Sequence, residues 1–441
     1  MADPCGVVPH WAWSCPAERD RTRARARGWQ ADRDERRYVT GSTKSRLFLA
    51  VLVGATALGP LAIQIFLPSL PAIQADLEVS GPVAQLVFSL SMAAIAVSML
   101  VYGPLSDRFG RRPMLIAGLI LYLIGSLACA LAPNIAVLIL GRTVQAVGGA
   151  GPIALTRTII RDLYGRERAA SMIAYLTMAM VVVPMMAPVI GGYLNDLIGW
   201  RAIFAFCAAV GLLVSALVLA RLPETHRDQV AIPGIGSMIA GFAQLLRTPA
   251  FRAFAFQSAF CIASFFSFAA AAPYVVIVVM ERSASAYGLF FMVVSLAFML
   301  GNFFAARTSE RVGVERMVLI GSSLSALATV LTLILLTTVG WVPWALFGPS
   351  ILLALGNGLS IPNAMAGAIS VDPRAAGAAS GLSGFLQMLL AAVFAQLAGM
   401  WQNGTPYPMI GFMIAASVLA LASFVVSLRG TGAFTRSLTA E

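Results

Sequence analysis

Twelve stretches of this chain, each long enough to cross a bilayer, are almost free of charge, and they constrain its fold more than anything else in the sequence. A bilayer core takes roughly 20 apolar residues per helix. Backbone groups find no water there, so a spanning segment is a helix or part of a closed barrel. Barrel strands alternate apolar and polar residues, whereas these runs are continuously apolar, which excludes the barrel. The runs predict helices at 47–71, 83–105, 113–132, 135–156, 169–193 and 200–220, then, after a longer polar segment, at 252–280, 285–306, 315–338, 341–364, 375–399 and 406–428. Hydrophobic residues make up 59% of the 441 and charged ones 11%, too little polar surface for a soluble domain of this length. The expected fold class is an all-α membrane protein.

Charge placement orients the bundle. An even number of spans puts both termini on one side. All 30 basic residues except Arg142, Arg201 and Arg282 fall on that side or in its connecting loops. By the positive-inside rule both termini are expected in the cytoplasm. The net charge of +11 therefore reads as membrane topology, and no nucleic-acid partner is expected. Cys5, Cys15, Cys129, Cys207 and Cys261 form no CxxC pair, and His10 and His226 lie outside the spans, so neither a metal nor a cofactor is expected. No helix carries a nucleophile, base and orienting group together, which argues against an enzyme.

Residues 1–46 read as a disordered basic cytoplasmic tail, with Arg19, Arg21, Arg23, Arg25 and Arg27 alternating. No apolar h-region precedes the first run, so a cleaved signal peptide is not expected. A linker at 221–251, holding Pro223, Pro233, Gly234 and Gly236, separates six-helix halves at 47–220 and 252–428, and 429–441 forms a C-terminal cytoplasmic tail. The halves echo one another. GPLSDRFGRRPMLIAG (103–118) aligns with AARTSERVGVERMVLIG (305–321), placing Asp107 on Glu310, Arg108 on Arg311 and Gly110 on Gly313. Such a repeat points to two pseudosymmetric halves with a site between them.

Two motifs stand out. Gly103, Asp107, Arg108, Gly110, Arg111 and Arg112 form a tight turn after the second span, where Gly110 permits positive φ and Asp107 can meet an arginine or a helix N-terminus. In the fifth span Pro184, Ala187, Pro188, Gly191 and Gly192 combine missing backbone donors with surfaces that allow close helix approach. A simple positive-inside turn and a packing feature are the plainer readings of the two.

The first motif resembles the loop 2–3 signature of the major facilitator superfamily, and the second resembles the helix-5 signature of its drug antiporters. Flanking phrases LPSLPAI (67–73), RDLYGRERAA (161–170), GWRAIF (199–204), LPET (222–225) and GAASGLSGFLQ (377–387) are similar to the Bcr/CflA group of bicyclomycin and chloramphenicol efflux proteins. The resemblance covers about residues 47–428 and is weakest in helices 7–9. It implies the major facilitator fold: twelve transmembrane helices in two pseudosymmetric six-helix bundles, in a bacterial inner membrane. It also implies that Asp107 latches onto the start of helix 11, near Ala375, and onto helix 4 when the outer side is open.

Arg142 is the one charged residue placed away from the ends of a predicted span, with Gln145 one turn on. The resemblance implies a part in coupling substrate to protons; the structural alternative is that Arg142 ties helix 4 to backbone carbonyls. The sequence departs from its relatives in helix 1, where Gln64 occupies the position of their aspartate. An amide does not titrate. Protonation of an acid at a helix end such as Asp107, coupling through the substrate's own charge, and uncoupled transport all remain open. Gln64, Phe66, Arg142, Gln145, Phe265, Phe268, Tyr274, Asn357, Asn363 and Gln387 are expected to line the substrate cavity. The expected function is export of small amphipathic drugs, neutral or anionic, by a monomer drawing on the proton gradient. The alternatives are a metabolite exporter or facilitator of the same fold, and a membrane sensor or scaffold without transport.

Overall fold

A computed structural model gives the structure of residues 46–163, 166–225 and 235–429. The basic tail, the middle of the linker and the residues beyond 429 lie outside this description. Twelve helices among the described residues are long and apolar enough to span a membrane. They are α1 (Leu47–Asp76), α2 (Gly81–Phe109), α3 (Arg111–Ala130), α4 (Ile135–Leu163), α5 (Arg166–Leu197), α6 (Trp200–Arg221), α7 (Pro249–Val279), α8 (Ala284–Val312), α9 (Val314–Thr338), α10 (Pro343–Ser370), α11 (Pro373–Met400) and α12 (Tyr407–Ser427).

Several helices run a few residues past their expected ends, and three differences have a local reason. First, α1 breaks after Ile65 into a 3₁₀ turn, Leu67–Ser69, and a short helix, Leu70–Asp76. Pro68 and Pro71 lack the amide hydrogens that would carry the first helix through. Second, α4 continues past 156 to Leu163 and takes Arg157 and Arg161 into the helix. Arginine is a good helix former, and cations suit a helix C-terminus. Third, part of the linker is helical. Ile235–Arg247 buries Leu245 against Phe251 and Phe254 of α7 and Ala379 and Leu382 of α11.

The repeat seen in the sequence is realised in the packing. In the first half α3 packs on α4 and α6, α2 on α4, and α1 on α4 and α5. The second half repeats the scheme with α9 on α10 and α12, α8 on α10, and α7 on α10 and α11. Close crossings use equivalent glycines: Gly118 against Gly148 between α3 and α4, Gly321 against Gly356 between α9 and α10. In lipid, where hydrophobic burial drives little association, such close backbone contact holds helices together. The halves meet along two seams, α2 with α11 and α5 with α8.

Candidate functional site

Arg142 sits at the centre of the first half, 1% exposed. Its Nη1 donates to the Ala62 carbonyl of α1 at 3.0 Å and to Gln145 Oε1 at 2.5 Å. The guanidinium lies 4.0 Å from the centroid of Phe66 and 5.9 Å from that of Phe204. Gln145 Nε2 donates in turn to Ser126 Oγ of α3 at 2.7 Å, so one network joins α1, α4 and α3. Among the described residues no carboxylate pairs with Arg142. The Gln64 Oε1 and Arg142 Nε atoms are buried without a hydrogen-bond partner. A cavity of about 10 Å³ adjoins Arg142, Gln145, Ala62 and Gly149. That is about the least space a single water occupies, so this polar cluster is closed to a drug-sized molecule in the conformation described.

From Phe66 a run of rings crosses the molecule. Phe66 meets Phe88 at 6.3 Å, and Phe88 of α2 meets Phe266 of α7 at 5.6 Å, linking the halves. Phe265 continues the run to Phe291 at 5.9 Å. Phe268 does not line a cavity: it is fully buried, stacked on Phe291 and edge-on to Phe347, because α7, α8 and α10 converge there. Tyr274 stands near one end of the bundle, beside Leu70, Gln85 and Gln402, and not with Arg142.

The polar residues of the second half bond among themselves. Asn357 accepts from Ser325 Oγ at 3.0 Å and donates to the Cys261 carbonyl at 3.4 Å. Asn363 donates to Leu359 O in its own helix, and Gln387 donates to Ser258 Oγ of α7 at 3.1 Å. Gln257 joins the cluster through Ser322 at 2.7 Å. These bonds satisfy most of the helix-borne polar groups here in apolar surroundings, although Gln257 Oε1 is buried without a partner. Gln257, Ser258, Ser322 and Ser325 were not singled out in the sequence, where scattered serines look alike whether they face lipid, core or cavity.

The tight turn expected over 103–112 is a single residue: Gly103, Asp107 and Arg108 lie in the last turns of α2, Arg111 and Arg112 open α3, and Gly110 alone stands between them. Asp107 Oδ1 lies 2.5 Å from Arg111 Nη1, and Arg111 Nε lies 3.4 Å from Asp162 Oδ2 at the end of α4. The link from Asp107 to α4 therefore runs through Arg111. Asp107 makes no ion pair with α11 among the described residues; further along that seam Met99 lies on Gly384 and Leu100 near Gly381. Gly103 and Gly377, beyond that point, have open space beside them. Arg108 lies over the Phe109 ring at 5.4 Å.

Glu224 stands in the LPET phrase just after α6. Both its oxygens cap α3, accepting from the backbone amides of Arg111 at 3.0 Å and Arg112 at 3.2 Å. A carboxylate there meets the positive end of the helix dipole. Gly110 has φ +97°, and a Cβ on it would lie 2.7 Å from Glu224 Oε2. Glu224→Ala is expected to cost about 1–2 kcal/mol of stability, as loss of a charged cap does. Glu224→Gln should fall between. Thermal unfolding of the purified variants checks the order; an unchanged midpoint for the alanine variant would remove the cap from the account.

The fifth-helix motif divides its work. Ala187 and Gly191 face α1, and Gly191 lies so close to the Ile65 carbonyl that no Cβ fits. Pro188 and Gly192 face α8 across the seam: a Cβ on Gly192 would sit 2.5 Å from Ala284 O, and the Pro188 carbonyl stands 2.5 Å from a Cβ on Gly288. Pro184 and Pro188 lie within one unbroken helix. Just beyond, Asp196 Oδ2 accepts the Ser285 amide at 2.8 Å. The other seam closes at the same end, where Gln396 accepts from Ser89 Oγ at 2.6 Å and donates to Pro82 O at 3.1 Å. Both clasps thus hold the first turns of the equivalent helices α2 and α8, at the end opposite the arginine-rich turns.

The sequence profile of the Major Facilitator Superfamily matches residues 52–395. The chain belongs to that superfamily. It is 29% identical over 385 residues to the bicyclomycin resistance protein homolog of Haemophilus influenzae, covering 86% of this chain and 95% of that protein. It is 28% identical over 361 residues to multidrug resistance protein D of Escherichia coli, covering 80% and 88%. Among solved structures, a bacterial homolog of the human lysosomal transporter Spinster, in an inward-facing and unoccupied conformation, aligns over 88% of this chain and 97% of its own, with a TM-score of 0.71 at 16% identity. That likeness shows the fold. The chain is a multi-pass membrane transporter of this superfamily, similar to drug-resistance proteins along most of its length.

Proposed function

We propose that this transporter exports small amphipathic drugs from the bacterial cytoplasm across the inner membrane by alternating access, as a monomer. The observation that carries this reading is the near full-length similarity to proteins named for bicyclomycin and multidrug resistance. The geometry supports it. Two equivalent bundles touch along two seams, are clasped by Asp196–Ser285 and Ser89–Gln396–Pro82 at one end, and leave open space beside Gly103 and Gly377 toward the other. With the basic end in the cytoplasm, this conformation is closed to the outside. Rocking about the seams would open the clasps and bring Asp107 toward α11.

The energy source is the second half of the proposal. We place it in the proton gradient, with the proton carried by a carboxylate at a helix end, since Gln64 cannot titrate. Uncoupled facilitation is the rival reading, favoured by Arg142 having no acid partner among the described residues. One experiment addresses both: uptake of labelled chloramphenicol by efflux-deficient bacteria expressing the protein, with and without a protonophore. Lower accumulation that the protonophore abolishes is expected. Lower accumulation that it leaves intact would favour the facilitator. Accumulation equal to the empty vector, with protein present in the membrane, would turn the assignment toward a metabolite exporter.

A further inference from the structure

Arg157 and Arg161 lie four residues apart inside α4, with exposed side chains. Neither takes part in an ion pair among the described residues. Asp162, the acid beside them in the chain, is turned to Arg111 instead. The hydrogen-bond contact of the Arg157 side chain is its Nη2 on the Met180 Sδ of α5, at 3.3 Å. A thioether is a weak acceptor for a guanidinium. Like charges at this spacing repel, and a cation within a spanning helix usually faces a water-filled cavity or a partner.

Cytoplasmic anchoring explains Arg161, which sits in the last turn of α4. It explains Arg157 less well. Arg157 is roughly 9 Å further in than the helix end, at 1.5 Å per residue. The face of α4 that packs on α3 holds Gln145 and Gly148. Arg157 lies half a turn around from Gly148 by the helical repeat, on the side away from α3. Since α3 packs within its own half and α5 carries a seam to the other, that side of α4 faces inward. A buried structural arginine looks different: Arg142, on the same helix, has a backbone carbonyl, an amide and two aromatic faces around it.

We infer that Arg157 is the anion-recognition residue of the transport path, binding the carboxylate, sulfonate or phenolate group of an amphipathic organic anion, with Arg161 adding positive potential toward the cytoplasmic opening. This rests on the reading that the gap between the halves is the transport path. A guanidinium presents paired N–H donors that match a two-oxygen anion. Met180 beside it supplies a polarisable surface for the ligand's apolar body. Within the neutral or anionic class the site adds a preference for the anionic members.

The test uses the purified full-length protein in detergent, titrated calorimetrically with 1-naphthoate and with 1-naphthamide, its neutral counterpart. Wild type should bind the anion about tenfold more tightly, the margin expected of charge-assisted bonds. Arg157→Gln, with an unchanged unfolding midpoint, should bring the ratio close to one, and Arg157→Lys should keep part of it. Arg157→Met replaces the glutamine variant if that one does not fold. Equal binding of the two probes by wild type, including none of either, overturns the inference, as does an undiminished ratio in the glutamine or methionine variant. Chloramphenicol is neutral, so its export is scored separately. Export without anion preference removes only this site, and anion preference without export removes only the drug assignment.

Discussion

Replacing Gly192 with valine should leave the protein folded and reduce transport about tenfold or more, whereas the same change at the adjacent Gly191 should remove most of the folded protein. The two glycines differ only in what they touch. A Cβ on Gly191 would run into the Ile65 carbonyl of α1, inside the first bundle. Backbone against backbone cannot relax by turning a side chain, so α1 and α5 must separate, and overpacking of this kind costs about 1–3 kcal/mol or more. Gly192 faces Ala284 O across the seam, and Ser285, which the Asp196 carboxylate clasps, is the next residue along. There the strain falls on one conformation, the one with this end closed, and each bundle keeps its own core. A penalty of about 1.4 kcal/mol lowers the population of that conformation tenfold relative to its alternative.

The measurement is chloramphenicol accumulation normalised to folded protein, together with thiol labelling at Ser285→Cys to report whether that end of the seam is open. Faster labelling with low transport is expected of Gly192→Val. Equal loss of folded protein in the two variants would mean that the α5–α8 seam is part of the folding core and not a moving contact. Normal transport by Gly192→Val would separate closure of this seam from transport altogether.

How much of this could be read in advance follows from where the physics is local. The spans were legible because lipid leaves the backbone one solution, and the apolar runs state it directly. Gly191 and Gly192 were legible as a packing feature, but the sequence does not say that one faces its own bundle and the other the opposite half. The inner end of α4 was misplaced because an arginine near a helix end looks the same as an arginine in a loop. Glu224 was invisible as a cap: its partners are amides at Arg111 and Arg112, more than a hundred residues away, and nothing in a short phrase announces a contact of that range. Phe265 and Phe268, alike in sequence, separate only in three dimensions, where one joins the run between the halves and the other is enclosed by Phe291 and Phe347.

Arg142 divides into two expected results, because its volume and its charge can be removed one at a time. Arg142→Ala should lower the yield of folded protein and its unfolding temperature. It empties the space between Phe66 and Phe204, deprives Gln145 Oε1 of its donor, and cuts the tie from α4 to the Ala62 carbonyl. A void plus a stranded acceptor costs about 2–5 kcal/mol. Arg142→Met restores much of the volume and removes the cost of holding a cation away from water, which often offsets the loss of a buried charge. The methionine variant should therefore fold close to normally. It should still transport poorly, because a cation held in the core with no carboxylate partner among the described residues, and with its own Nε unpaired, is an arrangement that stability alone does not favour. Normal transport by a well-folded Arg142→Met would reduce the residue to a pin between α1 and α4. Poor transport by a folded Arg142→Met would assign the charge to the transport cycle and leave the tie as what holds it in place.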